Sequence, residues 1–489
     1  MTALARRAGP VLLLLLLWQL AATATGGQFL LAGPAEVAAW LSDNPGLVGR
    51  ALSVTLASAA WGFLAGNLAA ILLVAAAMLW PPVLGLLTGL ALIVFCLPLI
   101  ATGPILRVMM GPGDGPQVVL AALAVYYTTL IPLLAGLRAV PSAWIDLVAC
   151  LGRGHLAQLV HVRARAALPY LVAGMQIAAP AAFLGAMVGE FTGAERGMGV
   201  LTVRFIRDLN TAALWSLASI AALVSIAVYL GVGAAGRFLR LERPPVILSP
   251  PRLPQGSAGR RLGRAVLLAG ATLVLWWGGM EALGLNPFFA KRPPDLFAAL
   301  FLAPDAGATW QALLQAAAQT AVFVLPGYLA GLALGTGLAV ALSLVVLLLG
   351  QGALGTIALV ALMVFFPTFV ACQHGLQQAP GQILDILRSH GAGRVSQMRH
   401  VRLPAMLPAF FASARMGVPA AILAVTVVEW LATGRGLGNL MTLSAALSDY
   451  TMLWLTVVLV TLASVLCHGG VAWIERRVLR LYAPEQVEG

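Results

Sequence analysis

The chain has 489 residues, of which 61% are hydrophobic and 9% charged, with a mean hydropathy of +0.94. Soluble domains carry about 25% charged residues, so a water-soluble globular fold is excluded and an all-α polytopic membrane protein remains. The net charge of +12 comes from 28 arginines and one lysine, Lys291. These cations gather in loops between apolar runs, which implies contact with membrane lipid and no nucleic-acid partner. A transmembrane barrel would instead show alternating segments of about 10 residues.

Residues 1–31 place Arg6 and Arg7 before the run V-L-L-L-L-L-L-W-Q-L-A-A. A cleaved signal peptide ending near A-T-A and a retained first helix both fit this pattern. A comparable element follows Arg260, Arg261 and Arg264 inside the chain, where no signal peptide can stand, and favours the retained helix. A span over 52–79 ends at W-P-P, because proline stops helices. Spans over 83–106 and 118–137 follow, separated by the turn G-P-G-D-G-P. A basic loop covers 138–168, a fifth span 169–190, a linker with E-R-G-M-G 191–211, and a sixth span 212–235.

The second half repeats this order. Asp146 to Gly199 matches Asp385 to Gly438 without a gap, with 20 identities in 54 positions. Self-similarity of that length marks an internal repeat. The predicted domains are 1–240, an Arg/Pro-rich cytoplasmic linker 241–264, and 265–489. W-G-F-L-A-G at 61–66 is answered by P-G-Y-L-A-G at 326–331, at an offset of 265 instead of 239, so the second copy lacks 26 residues, about one span. Residues 311–376 must then hold three short spans, or two and a re-entrant piece, if the second basic loop, 377–404, is to stay cytoplasmic. The total is about 11 or 12 transmembrane helices.

Within each basic loop apolar and polar residues alternate at helical spacing. Leu151, Leu156, Leu159 and Val162 interleave with Arg153, His155, Gln158 and His161, and Gly152 and Gly391 stand where two helical pieces need a turn. This pattern predicts a short helix lying along the membrane surface and offering one face to a partner.

The second loop resembles the signature of ABC importer permeases: an acidic residue, then Gly391, nine residues, and V-R-L-P at 401–404. The P-A-E-V and P-P-D-L openings, Glu190 and Glu429 late in the fifth spans, and G-x-G after them resemble the nitrate/sulfonate/taurine-type branch of that family. The resemblance implies two tandem MetI-like permease repeats in a bacterial inner membrane, with both termini cytoplasmic. It implies a pore working by alternating access, a cytoplasmic ABC ATPase partner, and a periplasmic or extracellular substrate-binding protein that delivers a small solute or anion. It also implies coupling residues Asp146, Gly152, Arg153 and Val162 in the first loop, and Asp385, Gly391, Arg394, Val401, Leu403 and Pro404 in the second. The first loop departs from the pattern, with V-R-A-R at 162–165 where L-P is expected.

Charged residues inside membranes are expensive and mark candidate sites. Equivalent pairs Glu190/Glu429 and Gln176/Arg415 are therefore candidates for the translocation path or a gate. A helix-end carboxylate meeting water or a backbone amide, for the glutamates, and snorkelling or an intramolecular pair, for Arg415, are the plainer readings. Arg107 falls at an outer helix end. Trp18, Trp276, Trp277, Trp454 and Trp473 read as interface anchors. The four cysteines and six histidines show no metal-ligand spacing, so no metal or other cofactor is expected. Lys291 follows N-P-F-F-A, so there is no phosphate-binding G-x-x-x-x-G-K loop, and ATP hydrolysis is expected on a separate subunit. The competing readings are a secondary transporter with two repeats, which are usually inverted, and a degenerate membrane scaffold that transports nothing.

Overall fold

The computed structural model describes residues 3–24, 31–80, 83–138, 140, 142–238, 258–340, 353–377, 379, 381–430 and 434–482. Every regular element among them is helical. The first half comprises α1 (Ala3–Ala24), α2 (Pro34–Asp43), α3 (Pro45–Leu79), α4 (Leu84–Phe95), α5 (Leu99–Met110), α6 (Gly115–Arg138), α7 (Ser142–Cys150), α8 (His155–Gln158), α9 (Ala164–Phe191), α10 (Met198–Arg207) and α11 (Thr211–Phe238). The second comprises α12 (Ala258–Ala282), α13 (Pro293–Phe301), α14 (Ala306–Val340), α15 (Ala353–Gln377), α16 (Gly381–Ser389), α17 (Arg394–Gln397), α18 (Leu403–Val428), α19 (Gly436–Ala446) and α20 (Tyr450–Tyr482). The halves match element by element, except that nothing described in the second corresponds to α4 and α5. Of the predicted linker 241–264, residues 258–264 belong to α12, and 241–257 lie outside the described residues.

Eight described helices are long and apolar enough to cross a membrane, and α4 with α5 makes a ninth if counted as one span. Helices α1 and α15, 22 and 25 residues long, include the apolar stretches Leu15–Ala24 and Met363–Gln373 among the described residues. The predicted straight span at 83–106 is instead a pair bent by 93°. Pro98, which has no N–H to donate and is itself extended (ψ 102°), breaks it.

Glycines set the packing, because helices in lipid associate through close contact of small residues. Gly62 and Gly66 of α3 lie against Ala121, Ala122 and Val125 of α6, so these two helices run parallel. Gly174, Gly185 and Gly189 of α9 face Thr129, Ala121 and Gln117, which makes α9 antiparallel to α6. In the second half Gly327 and Gly331 face Val360 and Val364, and Gly375 faces Met406, reproducing both relations. Each basic loop therefore emerges at the end of its half where α3 or α14 terminates. The connection from α14 to α15, where a third span or re-entrant piece was expected, is residues 341–352 and lies outside the described residues.

The halves meet around α5. Gly103 sits directly on Thr192 at the end of α9, and Ala101 and Ile105 share a core with Val418, Ile422, Leu437 and Met441. The ends of α9 and of α18 thus lie at the same level, so the two repeats are parallel and not inverted. Helix α4 gives the second half a seat, with Gly89 against Leu268 of α12. Phe95 stacks on Tyr127 with centroids 4.1 Å apart, and the Tyr126 hydroxyl donates to the Ala91 carbonyl.

Candidate functional site

Two paired features stand out, one at each end of the bundle. The first is the basic loop. Helix α7 ends at Gly152 and α16 at Gly391, with φ of +69° and +74°. The Gly152 and Arg153 N–H groups donate to the Ala149 and Val148 carbonyls, and those of Gly391 and Ala392 to Arg388 and Leu387. This closes the helix end with a left-handed residue, which glycine adopts without the steric cost of a Cβ. After α8 and α17, residues Leu159–Arg163 and Met398–Arg402 form a π-turn at the same place in both halves, and α9 and α18 follow directly.

Asp146 and Arg153 are exposed, and Val162 is half-buried. Asp385 is exposed and pairs with Arg388 at 3.1 Å. Val401 is buried, and Leu403 and Pro404 open α18, where proline lacks only a hydrogen bond that the first turn does not make. The Arg394 side chain lies outside the described residues. Leu151 and Leu156 face outward while Gln158 and Gln397 are buried, and the Gln397 amide donates to the Ala392 carbonyl at 3.0 Å. The exposed face thus carries apolar side chains among its charged ones.

The second feature lies at the opposite end. The Gly199 N–H donates to Glu190 Oε2 at 2.6 Å, and Thr55 Oγ1 of α3 donates to Glu190 Oε1 at 2.7 Å. The Met198 N–H in turn donates to Thr55 Oγ1 at 2.9 Å. In the second half the Gly438 N–H and Thr320 Oγ1 each donate to Glu429 Oε2 at 2.9 Å, and the Leu437 N–H donates to Thr320 Oγ1 at 2.9 Å. The Gly436 N–H adds a bond to Gln319 Oε1 at 3.0 Å. Both carboxylates are buried. Each satisfies the unpaired amides at the start of α10 or α19, where the helix dipole also favours negative charge.

The G-x-G pattern follows from this bracket. A Cβ on Gly197 or Gly436 would overlap the glutamate carboxylate, and one on Gly199 or Gly438 would overlap a backbone carbonyl of the preceding span. Gly436→Ala, at a φ of +89°, is expected to destabilise the chain by on the order of 2–4 kcal/mol. Gly469→Ala, in the open on α20, serves as a neutral control in the same melting measurement.

Gln176 and Arg415 lie elsewhere. From Gln176 to Glu190 is a 14-residue helical rise of roughly 21 Å, so these pairs occupy different depths. Arg415 makes an ion pair with Glu475 of α20 at 2.9 Å, the two side chains being 15% and 11% exposed. His468 Nδ1 is 3.1 Å from the Arg415 carbonyl. Gln176 instead rests on Gly233 of α11. Arg107 donates to the Gly113 carbonyl at 2.8 Å. Trp277 and Trp473 are exposed, whereas Trp276 stacks on Trp454 and Trp18 donates to the Ala32 carbonyl. Among the described residues no group of three or more His, Cys, Asp or Glu could hold a metal ion.

Thr55, Thr320 and Glu475 escape the sequence reading. The two threonines stand 265 residues apart, the offset of the W-G-F-L-A-G match, and that shared offset is the signal that could have found them.

Comparison with known proteins decides the family. Residues 66–240 and 287–480 each match the description of the binding-protein-dependent transport system inner membrane component. The chain belongs to this family. A probable ABC transporter permease protein of Haemophilus influenzae is 30% identical over 224 residues, 45% of this chain and 90% of the relative. A riboflavin transport system permease protein of Chloroflexus aurantiacus is 29% identical over 240 residues, 47% of this chain and 87% of the relative. A putative aliphatic sulfonates transport permease protein of Escherichia coli is 26% identical over 137 residues, 28% of this chain and 52% of the relative. No solved structure matches. This permease thus carries two family domains in one chain, where the first two relatives are covered almost whole by less than half of it. It is a multi-pass membrane protein and the permease subunit of an ABC importer.

Proposed function

We propose that the two halves of this permease form one complete translocation path, worked by two ATPase subunits that dock on the loops 138–168 and 377–404. The observation that supports this is the pair of matching turns at Gly152 and Gly391, each followed by a π-turn leading straight into a membrane helix. Such a joint passes movement of a docked subunit into α9 or α18. A substrate-binding protein delivers the solute at the opposite end, where Glu190 and Glu429 hold the short helices α10 and α19. The substrate is a small solute or anion. Riboflavin and aliphatic sulfonates, named for two of the relatives, bracket that range. The loops and both termini face the cytoplasm of a bacterial inner membrane, in keeping with their arginines.

The test is co-purification with a candidate ABC ATPase from the same organism, followed by ATPase assays in liposomes. Gly391→Val puts a β-branched residue at a φ of +74° with open space around it, so the damage stays in the turn. Strain of about 1–3 kcal/mol there should weaken assembly about tenfold or more, while the chain's own stability falls by no more than that strain. Assembly that survives with both loops disrupted would sink the coupling reading.

A further inference from the structure

Helix α13 has no side suited to water. Its sequence, P-P-D-L-F-A-A-L-F, holds one polar residue, Asp295, whose carboxylate accepts from the Arg292 N–H at 2.9 Å. One face is packed, with Leu296 buried in a core shared with Leu313 of α14 and Leu455 of α20. On the other face Phe297, Phe301 and Leu302 are 57%, 59% and 72% exposed. The Phe297 and Phe301 ring centroids lie 4.9 Å apart, and Phe301 meets Trp310 of α14 at 6.1 Å. A short helix that is apolar on both sides needs a cover on the second.

Two observations say what covers it. The first is level. Helix α20 starts at the end remote from the basic loops, and the rise along it from Trp454 to Trp473 is roughly 28 Å, close to the hydrocarbon thickness of about 30 Å. Trp454 therefore marks the membrane boundary remote from the loops. It stacks on Trp276 of α12 and packs against the core that holds Leu296, so α13 lies at that boundary. The second observation is continuity. Leu314, Val322, Leu325 and Leu329 are exposed on α14, a helix able to cross the membrane, and with Trp310 they fall within about a third of its circumference. That stripe faces lipid, and through Trp310 it continues onto Phe301 and Phe297. The exposed polar neighbours Asp305, Gln311 and Gln315 suit the headgroup layer and limit the depth.

We propose that α13 lies in the leaflet remote from the basic loops, with Phe297, Phe301 and Leu302 among acyl chains just beneath the headgroups. Its partner is the lipid surface, which takes the apolar face of such a helix to a depth of about 5–10 Å. Leu440 of α19 packs against the same core, so the leaflet also supports the short helix that Glu429 holds. Laying P-A-E-V on P-P-D-L puts Ala38, Ser42 and Asp43 of α2 opposite the three anchors, and these are exposed without offering one.

The experiment uses the full chain in lipid nanodiscs. One sample contains phosphatidylcholine with a diazirine in its acyl chain, and another a water-soluble diazirine. After photolysis, adducts are mapped by peptide mass spectrometry. The acyl probe should label 293–302 at least about tenfold more than 34–43, and the water-soluble probe should show the reverse order. In F297N/F301N, acyl labelling of 293–302 should fall about tenfold, while that of 322–329 stays unchanged and reports intact packing. Labelling of 293–302 by the water-soluble probe alone overturns the proposal, since the face would then be open to water or to a docking protein. Labelling by neither probe overturns it as well, because protein would be the cover. Acyl labelling of 293–302 that survives in the variant removes the two rings as anchors.

Discussion

Glu429→Ala is expected to lower the stability of the purified chain by roughly 3–5 kcal/mol, because the Gly438 amide and the Thr320 hydroxyl lose a charged acceptor in a buried site. The fully buried Glu429 connects three elements, α18, α19 and α14, so the loss is not confined to a helix end. Glu429→Gln keeps an acceptor oxygen and should cost distinctly less. Glu190→Ala should behave alike in the first half, where Thr55 and Gly199 are stranded. Melting followed by fluorescence-detected size exclusion gives the comparison. Equal behaviour of the alanine and glutamine variants would show that the carboxylate does not hold the helix.

The second large effect concerns Arg415. Removing one partner of a buried pair leaves an uncompensated charge, so Glu475→Ala should cost about 3–5 kcal/mol. Removing both charges should restore most of that, because replacing a buried pair by neutral groups is close to neutral. The chain provides its own precedent, with Gln176 and Gly236 at the equivalent positions of the first half. R415Q/E475A should therefore melt within about 1 kcal/mol of the unaltered protein, while either single substitution should not. A double variant as unstable as E475A would mean that Arg415 is held for some other contact.

Much of this architecture is legible in the sequence. The ungapped match from Asp146 to Gly199 announces two parallel halves, and the glycines at 152 and 391 announce the turn before its dihedral angles are known. Arginine placement gives only an expectation for the side of the loops, since translocation penalises positive charge. Other features are hidden for physical reasons. Periodicity shows that the loop helices have two faces, but not that Gln158 turns inward and Leu156 outward, which depends on what covers them. The bracket around Glu190 joins residues 135 apart, and Thr55 sits in an apolar run where a threonine attracts no notice. A π-turn has no composition of its own, so Leu159–Arg163 reads as ordinary helix. The bend at Pro98 is signalled by the proline but not its angle, which is set by packing against α6 and the second half.

The wedge formed by α4 and α5 has a bearing on ancestry. A permease assembled from two separate, identical chains must carry every contact twice, because symmetry copies whatever one subunit has. Once the copies are joined, that constraint lapses, and a contact needed between them can be kept on one side alone. The first half here retains a full set of parts and remains able, in outline, to pair with its own kind. The second relies on its neighbour for the seat of α12 and for the core that Ala101 and Ile105 complete. Among the described residues, the contacts that join the halves through Gly89, Ala101 and Ile105 are therefore supplied by the first half.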